Sequence, residues 1–219
     1  MDVRSFFALK PKTDLPTPAG SPTPKMNSLS NCSAVQGYLA TLKSKPTEDP
    51  MSLCSLLTRK VSQSTNIRLG NELEEILNLY VTASCPDAKD LRPTKVKKGE
   101  HQKDFLRKLP DHIVYGEFKS NINLDTEKRK ATRDKVNAVA AELLAANPGT
   151  IVSPFLVALR YLRTSDIPPL LASSYSDVAL IGVGDFFRDV LKHPMAELED
   201  YSAYSAFLMS VVDRLEPVA

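Results

Sequence analysis

One segment in the middle of the chain constrains the fold most, because it predicts a β-hairpin. Residues 103–121 have the sequence KDFLRKLPDHIVYGEFKSN, in which two apolar-rich runs flank the turn signal LPDH. A hairpin register that places Leu106 opposite Tyr115 also places Asp104 opposite Glu117. The segment therefore predicts a sheet in which two acidic side chains lie close together.

Helical and extended patterns alternate on both sides of this hairpin. The order of helix, hairpin, helix, strand and helix predicts a mixed α/β class. The predicted elements are a helix over 71–81 that begins at Asn71, a long helix that begins at Asp125 or Thr126 and ends at Asn147, an apolar run over 151–162 that fits either a strand or a helix, a buried strand over 178–184, a short helix from Asp185 and a final helix over 195–215.

The first fifty residues differ from the rest of the chain. They contain 7 of the 16 prolines and are rich in serine and threonine, which predicts a disordered tail over 1–50 and a folded domain over 51–219. Phe6 and Phe7 lie within residues 3–7, and paired aromatics at a terminus are typical of a docking element or of a packed terminal arm. The fragment MDVRSFF resembles the clamp-binding peptide of the large subunit of eukaryotic replication factor C. This resemblance implies a sliding clamp or another partner.

Composition and charge exclude several classes of protein. The three cysteines are scattered, no leader-like segment is visible, and no apolar run is long enough to cross a membrane, so we expect an intracellular protein that is not secreted. Lysine and arginine outnumber acidic residues 14 to 9 over residues 86–135, whereas acidic residues prevail 10 to 5 over 136–219. A basic centre predicts a polyanionic partner, although an ordinary solvated charge cluster would give the same pattern.

The acidic residues of the hairpin predict a metal-dependent hydrolytic site. Residues two apart on a strand share a face, so Glu117 and Lys119 project together with Tyr115. Opposed Cβ atoms of a hairpin lie ~4.5–5.5 Å apart, and two carboxylates at that distance repel each other unless a cation lies between them. Mg²⁺ suits such oxygen ligands, and a neighbouring lysine can orient water and neutralise charge at phosphorus. A Glu-x-Lys pair on a solvated strand face is the alternative.

The pattern Asp104-(12 residues)-Glu117-Phe118-Lys119 resembles the PD-(D/E)xK nuclease superfamily, and the flanking text HQKDFL and IVYGEFKSNINLDTEKRKAT resembles type II restriction endonucleases. The resemblance covers roughly residues 65–192. It implies a restriction-endonuclease-like αβββαβ core with a mixed central sheet. It also implies Mg²⁺ held by Asp104, Glu117 and the backbone carbonyl of Phe118, with Lys119 as the catalytic lysine. Lys103 stands where the family has proline.

A further acid is expected from the helix that precedes the hairpin. Glu72, Glu74 and Glu75 are the candidates, and Glu75 is the choice for a metal ligand, although a solvated helix face explains these residues equally well. Asp111 forms a literal Pro-Asp pair with Pro110, but it lies in the turn, so Asp104 is the better ligand. Charge and position predict the following DNA-contacting residues: Lys95, Lys97, Lys98, His101, Asn121, Asn123, Lys128, Arg129, Lys130 and Arg133. Asn121 and Asn123 also fit a purely structural turn.

These observations predict a Mg²⁺-dependent, sequence-specific endonuclease that cuts duplex DNA. A repair or recombination nuclease of the same fold, and a non-catalytic DNA-binding interaction protein, are the alternatives. Because two strand cuts in a palindrome need two sites, we expect a homodimer. An apolar stripe in the last helix offers a surface for it, although the same stripe can close the core of one chain. The stripe consists of Phe207, Leu208, Val211, Val212 and Leu215.

Overall fold

The computed structural model describes most of the region from residue 28 to residue 215. The described residues are 28–42, 63–93, 95 and 100–215. The expected docking peptide at 3–7 and the predicted DNA contacts Lys97 and Lys98 lie outside them. Among the described residues, no helix combines the length and the apolar character needed to cross a membrane.

A five-stranded sheet forms the centre of the described part of the chain. Its strands lie side by side in chain order: β1 (Lys89–Asp90), β2 (Phe105–Lys108), β3 (His112–Lys119), β4 (Ile151–Ala158) and β5 (Leu180–Gly182). The first three strands are antiparallel neighbours, whereas β4 and β5 continue the sheet parallel to β3. The predicted α/β class and mixed sheet are confirmed.

Helices cover both faces of this sheet. They are α1 (Ser33–Thr41), α2 (Gln63–Ser84), α3 (Thr126–Ala146), α4 (Pro169–Ser173), α5 (Val183–Asp185, continued by a π-helical turn over Phe186–Val190), α6 (Ala196–Glu199) and α7 (Tyr201–Leu215). A large apolar cluster joins α1, α2 and α7 to one face of the sheet, and a smaller cluster joins α3 to the other face. The sheet therefore lies between two helical layers.

Strand β3 divides its side chains between these two layers. Val114 and Phe118 belong to the cluster of α1, α2 and α7, whereas Tyr115 belongs to the cluster of α3. Because successive side chains of a strand point to opposite faces, Glu117 and Lys119 share the face of Tyr115. The two functional candidates of β3 are thereby directed to the layer that contains α3.

The structure places residues 28–42 in the folded part of the protein, although composition predicts a tail up to residue 50. Leu29, Val35 and Leu39 are buried in the large apolar cluster. The carboxylate of Glu197 accepts hydrogen bonds from two backbone N–H groups of this segment. Composition alone does not predict the short helix α1, because the surrounding residues are rich in proline and the contacts that bury the helix come from distant parts of the chain.

Two local predictions change when the structure is considered. The helix expected to begin at Asn71 begins at Gln63, so Asn71 is an internal residue and not a cap. The ambiguous apolar run over 151–162 contains the strand β4, which pairs with β3 and β5 and is buried at its C-terminal end. Parallel strands covered on both faces carry no clear alternation, and periodicity alone therefore does not distinguish them from helices.

The apolar stripe of α7 lies in the core of the single chain. Its residues are at most 5% exposed and belong to the cluster that contains α2 and the sheet. The structure therefore favours the alternative interpretation, in which this stripe closes the core. It is not a surface available for dimerisation. These residues are Phe207, Leu208, Val211, Val212 and Leu215.

Candidate active site

The hairpin register brings Asp104 next to Glu117. Leu106 pairs with Tyr115, as predicted, and Phe105 pairs with Gly116, so the next position toward the N-terminus faces Glu117. Asp104 is 8% exposed and Glu117 is 1% exposed, although both carry carboxylates. Burial of an unpaired carboxylate is strongly unfavourable, and both groups therefore need compensating partners.

Two lysines bridge these carboxylates. The Nζ atom of Lys119 lies 2.6 Å from Glu117 Oε1 and 3.9 Å from Asp104 Oδ2. The Nζ atom of Lys135, from α3, lies 2.5 Å from Glu117 Oε2 and 3.6 Å from Asp104 Oδ1. Two carboxylates therefore face two ammonium groups. The Tyr115 hydroxyl also donates a hydrogen bond to Glu117.

The charges determine how these groups titrate. Burial acts to raise the pKa of Glu117, but the ammonium groups of Lys119 and Lys135 outweigh it and lower that pKa. For Asp104, burial and the adjacent Glu117 charge raise the pKa, and the two lysines only partly offset them. Burial acts to lower the pKa of Lys119, but the Glu117 and Asp104 carboxylates outweigh it and raise it. Glu117 is thus the more firmly ionised acid of the pair.

Glu74 adds a third carboxyl group from α2. Burial and the negative charge of Asp104 raise its pKa to about 8, so that it is mostly protonated at neutral pH. Its Oε1 atom has no hydrogen-bond partner within the described residues. Acids crowded in this way titrate apart, and a raised pKa of this kind is common at functional sites.

The expected ligand Glu75 is paired with a basic side chain. Its carboxylate lies 3.5 Å from the guanidinium of Arg92, and the carboxylate of Glu72 accepts a hydrogen bond from the Tyr38 hydroxyl. Glu74 is the acid of α2 that approaches Asp104, so the structure favours Glu74 over Glu75 as the additional acid. Because α2 begins at Gln63, Glu74 lies in the interior of the helix and not near its start.

Buried hydrogen bonds fix the position of Asp104. The Phe118 N–H donates to Asp104 Oδ2 at 2.9 Å, which ties the carboxylate to β3. The Asn78 amide donates to the backbone carbonyls of Asp104 and Glu74 at 2.9 and 2.8 Å. Arg107 in turn donates to the Asn78 carbonyl and side-chain oxygens. Asn78 therefore joins helix α2 to the start of β2 and holds both acids in place.

A cavity of about 350 Å³ opens beside the charged cluster. Its wall is mainly polar and combines residues of α2, the segment before β2, the end of β3 and α3. A second cavity, of about 260 Å³, shares four of these lining residues. The residues that line the first cavity are Gly70, Asn71, Glu74, Gln102, Asp104, Phe118, Lys119, Ser120, Lys135 and Leu159.

The site contains carboxylate oxygens, which hard divalent cations prefer as ligands. Mg²⁺ is commonly held by one or two carboxylates, with water and substrate phosphate completing its coordination. Asp104 and Glu117 provide such oxygens, and Glu74 provides an unpartnered oxygen at the same cavity. As the described residues are arranged, no three His, Cys, Asp or Glu side chains form a group able to hold a metal ion. Lysine ammonium groups contact the carboxylate oxygens instead.

The predicted DNA-contacting residues fall into two groups. Lys95, His101 and Lys130 are exposed, and exposed Lys128 lies 3.0 Å from Asp125 at the start of α3. These four residues present positive charge, or in the case of His101 a hydrogen-bonding ring, to solvent. They are therefore accessible to a polyanion.

The residues of the second group use their side chains for hydrogen bonds and ion pairs within the protein. Arg129 donates to the Leu124 carbonyl, and Arg133 donates to the Ser174 carbonyl and pairs with Asp177. Asn121 Oδ1 accepts a hydrogen bond from the Asn123 N–H, which supports the alternative interpretation as turn residues. Arg129 therefore joins α3 to the residues just before the helix, and Arg133 joins α3 to the segment that follows α4.

Sequence patterns alone miss Lys135 and the role of Asn78. Lys135 lies beside the buried α3 stripe that includes Thr132, Val136 and Val139. A charged residue at the margin of such a stripe signals a buried partner, but it does not say which one. Asn78 lies among apolar residues of α2, and its polar side chain likewise predicts an unidentified hydrogen-bond partner.

The chain was compared with protein-family models, with curated proteins and with solved structures. No protein-family model, curated protein or solved structure matches the chain. The informative observations are therefore the opposed buried carboxylates, the two lysines that reach both of them, and the adjoining polar cavity.

Proposed function

We propose that this protein is a Mg²⁺-dependent endonuclease that hydrolyses phosphodiester bonds of duplex DNA in the manner of type II restriction enzymes. The observation that carries the proposal is the buried pair Asp104 and Glu117, opposed on one hairpin with Lys119 on the same face. The order of α2, the antiparallel strands, α3 and β4 supports a restriction-endonuclease-like αβββαβ core.

Each residue has a defined role in this proposal. Asp104 and Glu117 hold Mg²⁺, and the backbone carbonyl of Phe118 is an additional ligand. When bound, the ion supplies a Lewis acid for the scissile phosphate. Lys119 orients the attacking water and neutralises negative charge that develops on the phosphate. Glu74 provides a protonated carboxyl group at the same cavity and can donate a hydrogen bond to a phosphate oxygen.

The exposed basic residues supply contacts with the DNA backbone. Lys95, His101, Lys128 and Lys130 bind phosphates and contribute affinity without reading sequence. A duplex cut at a palindrome requires two such sites, and the protein therefore acts as a homodimer on DNA. The α7 stripe is buried in the core, so the dimer uses another surface.

The test is cleavage of DNA by the full-length protein. Supercoiled plasmid and a synthetic four-way junction are incubated with the protein in Mg²⁺, in Ca²⁺ and in EDTA, and the ends produced are sequenced. Cleavage of plasmid at fixed positions in Mg²⁺ alone is the expected result. Cleavage of the junction only would favour the repair nuclease, and binding of both DNAs without cleavage would favour a non-catalytic DNA-binding protein. Either result overturns the proposal.

A further inference from the structure

Lys135 occupies a distinctive place in the charged cluster. Its ammonium group lies between oxygen atoms of two different acids, 2.5 Å from Glu117 Oε2 and 3.6 Å from Asp104 Oδ1. Lys119 contacts the other oxygen of each acid. The lysine side chain from α3 therefore fills one of the two positions between the carboxylates at which a small cation is stabilised.

The charge balance of the cluster opposes the addition of a divalent cation. Two carboxylates are already neutralised by two ammonium groups, and a further ion of charge +2 would meet two positive neighbours. Like charges a few ångströms apart repel each other strongly in a poorly solvated site. A divalent cation therefore binds between Asp104 and Glu117 more readily when one ammonium group moves away.

Lys135 and Lys119 reach the carboxylates from different elements, and Lys119 already has a role in the proposed hydrolysis, so Lys135 is the lysine that we expect to move. Lys119 belongs to the same strand as Glu117, two residues away, and the pairing of β3 with β4 extends to Lys119 itself. Lys135 reaches the cluster from another element, α3. Both lysine side chains are flexible, line the polar cavity and are partly exposed, Lys119 by 32% and Lys135 by 22%. Rotation about the side-chain bonds of Lys135 can transfer the ammonium group from the carboxylates to that cavity.

We propose that Lys135 is a tethered counter-ion that competes with the divalent cation for the Asp104–Glu117 pair. In the absence of metal it neutralises the buried carboxylates, and on metal binding it moves into the cavity. There the ammonium group faces bound phosphate. The inference rests on the proposed function, which assigns the metal to the Asp104–Glu117 pair. It adds Lys135 as a residue that controls how readily the metal binds there.

Chemical labelling of lysines measures the movement directly. The full-length protein is treated with formaldehyde and borohydride with and without saturating Ca²⁺, and dimethylation of each lysine is quantified by mass spectrometry. We expect labelling of Lys135 to rise at least threefold with Ca²⁺, whereas Lys119 and the exposed control Lys130 remain unchanged. Unchanged labelling of Lys135 at saturating Ca²⁺ would overturn the proposal.

Calorimetric titration with Ca²⁺ measures the competition. Replacement of Lys135 by Met removes the competing charge, so we expect affinity about fivefold to tenfold higher than that of the unmodified protein. Lys89→Met, at an exposed position of β1 that does not line the cavity, is the control and keeps the original affinity. Lys135→Gln replaces Lys135→Met if the latter does not fold. Equal or weaker binding by the Lys135 variant contradicts the proposal.

The two hypotheses can fail separately. A protein whose Lys135 is released by Ca²⁺ but which never cleaves DNA would refute the nuclease and leave the counter-ion role standing. A protein that cleaves DNA in Mg²⁺ while Lys135 stays protected in Ca²⁺ would refute the counter-ion role alone.

Discussion

Two buried glutamates of this protein are stabilised in different ways. Glu197 accepts hydrogen bonds from the Ser28 hydroxyl and from the N–H groups of Leu29 and Ser30, at 2.5–2.9 Å. Glu117 is instead paired with two lysine ammonium groups that line a polar cavity. Neutral backbone donors are fixed by the fold, whereas side-chain cations can move. The first arrangement joins two parts of the chain, and the second is suited to an exchange of ions.

The largest expected effect is on catalysis, through Asp104. In Asp104→Asn, the amide oxygen keeps the hydrogen bond from the Phe118 N–H, but the negative charge that we propose holds Mg²⁺ is lost. We expect DNA cleavage to fall by at least about 10³-fold, as for residues that act within a catalytic unit. Asp111→Asn is the matched control, because Asp111 lies exposed in the hairpin turn. Cleavage is measured on plasmid DNA. Parental activity in Asp104→Asn would contradict a catalytic role for the cluster of Asp104 and Glu117.

Truncation tests how much residues 28–42, which hydrogen-bond to Glu197, contribute to stability. Deletion of residues 1–45 removes the buried side chains of Leu29, Val35 and Leu39, each of which contributes about 1.5–3 kcal/mol. We therefore expect the free energy of unfolding to fall by about 5 kcal/mol. Deletion of residues 1–27 preserves these contacts and should change it by less than about 0.5 kcal/mol. Denaturant titration distinguishes the two, and equal stability of both truncated proteins would show that α1 contributes nothing.

Asn78 links stability to the site. Asn78→Ala leaves the Asp104 carbonyl without its buried donor and removes one of several acceptors of the Arg107 guanidinium, and we expect a cost of about 1–3 kcal/mol. Cleavage should also fall, because Asp104 loses a contact that positions it. Asn147→Ala provides the control, since it deletes an amide-to-carbonyl hydrogen bond at the far end of α3. If both variants cleave DNA equally well, Asn78 has only a structural role.

The smallest expected effect is the pH dependence of the Glu197 contact. Burial acts to raise the pKa of Glu197, but the hydrogen bonds from residues 28–30 outweigh it and lower the pKa below 4.5, the ordinary value. A carboxylate with a lowered pKa stabilises the folded state fully above its ordinary pKa and loses this contribution as pH falls through the folded value. The difference in melting temperature between the parent and Glu197→Gln should therefore shrink below pH 4.5. A constant difference down to acid unfolding would contradict this.

The sequence predicts the centre of the fold better than its periphery. The hairpin register follows from local alternation, so the opposition of Asp104 and Glu117 is predictable without other information. The choice between Glu74 and Glu75 depends on the rotational phase of α2, which distant packing determines. Residues 28–42 resemble a linker because their stabilising partner Glu197 lies about 170 positions away. Lys135 is missed for the same reason, since its partners belong to other elements.

The central claim is that the Glu117 cluster serves function and the Glu197 contact serves folding. The most direct test measures both melting temperature and DNA cleavage in Mg²⁺ for Glu117→Gln and Glu197→Gln. We expect Glu117→Gln to lose cleavage while it melts within a few degrees of the parent, about the shift that 1 kcal/mol produces. Glu197→Gln should melt lower and still cleave DNA when folded. Cleavage by Glu117→Gln at the parental rate, or loss of cleavage by folded Glu197→Gln, would contradict the account.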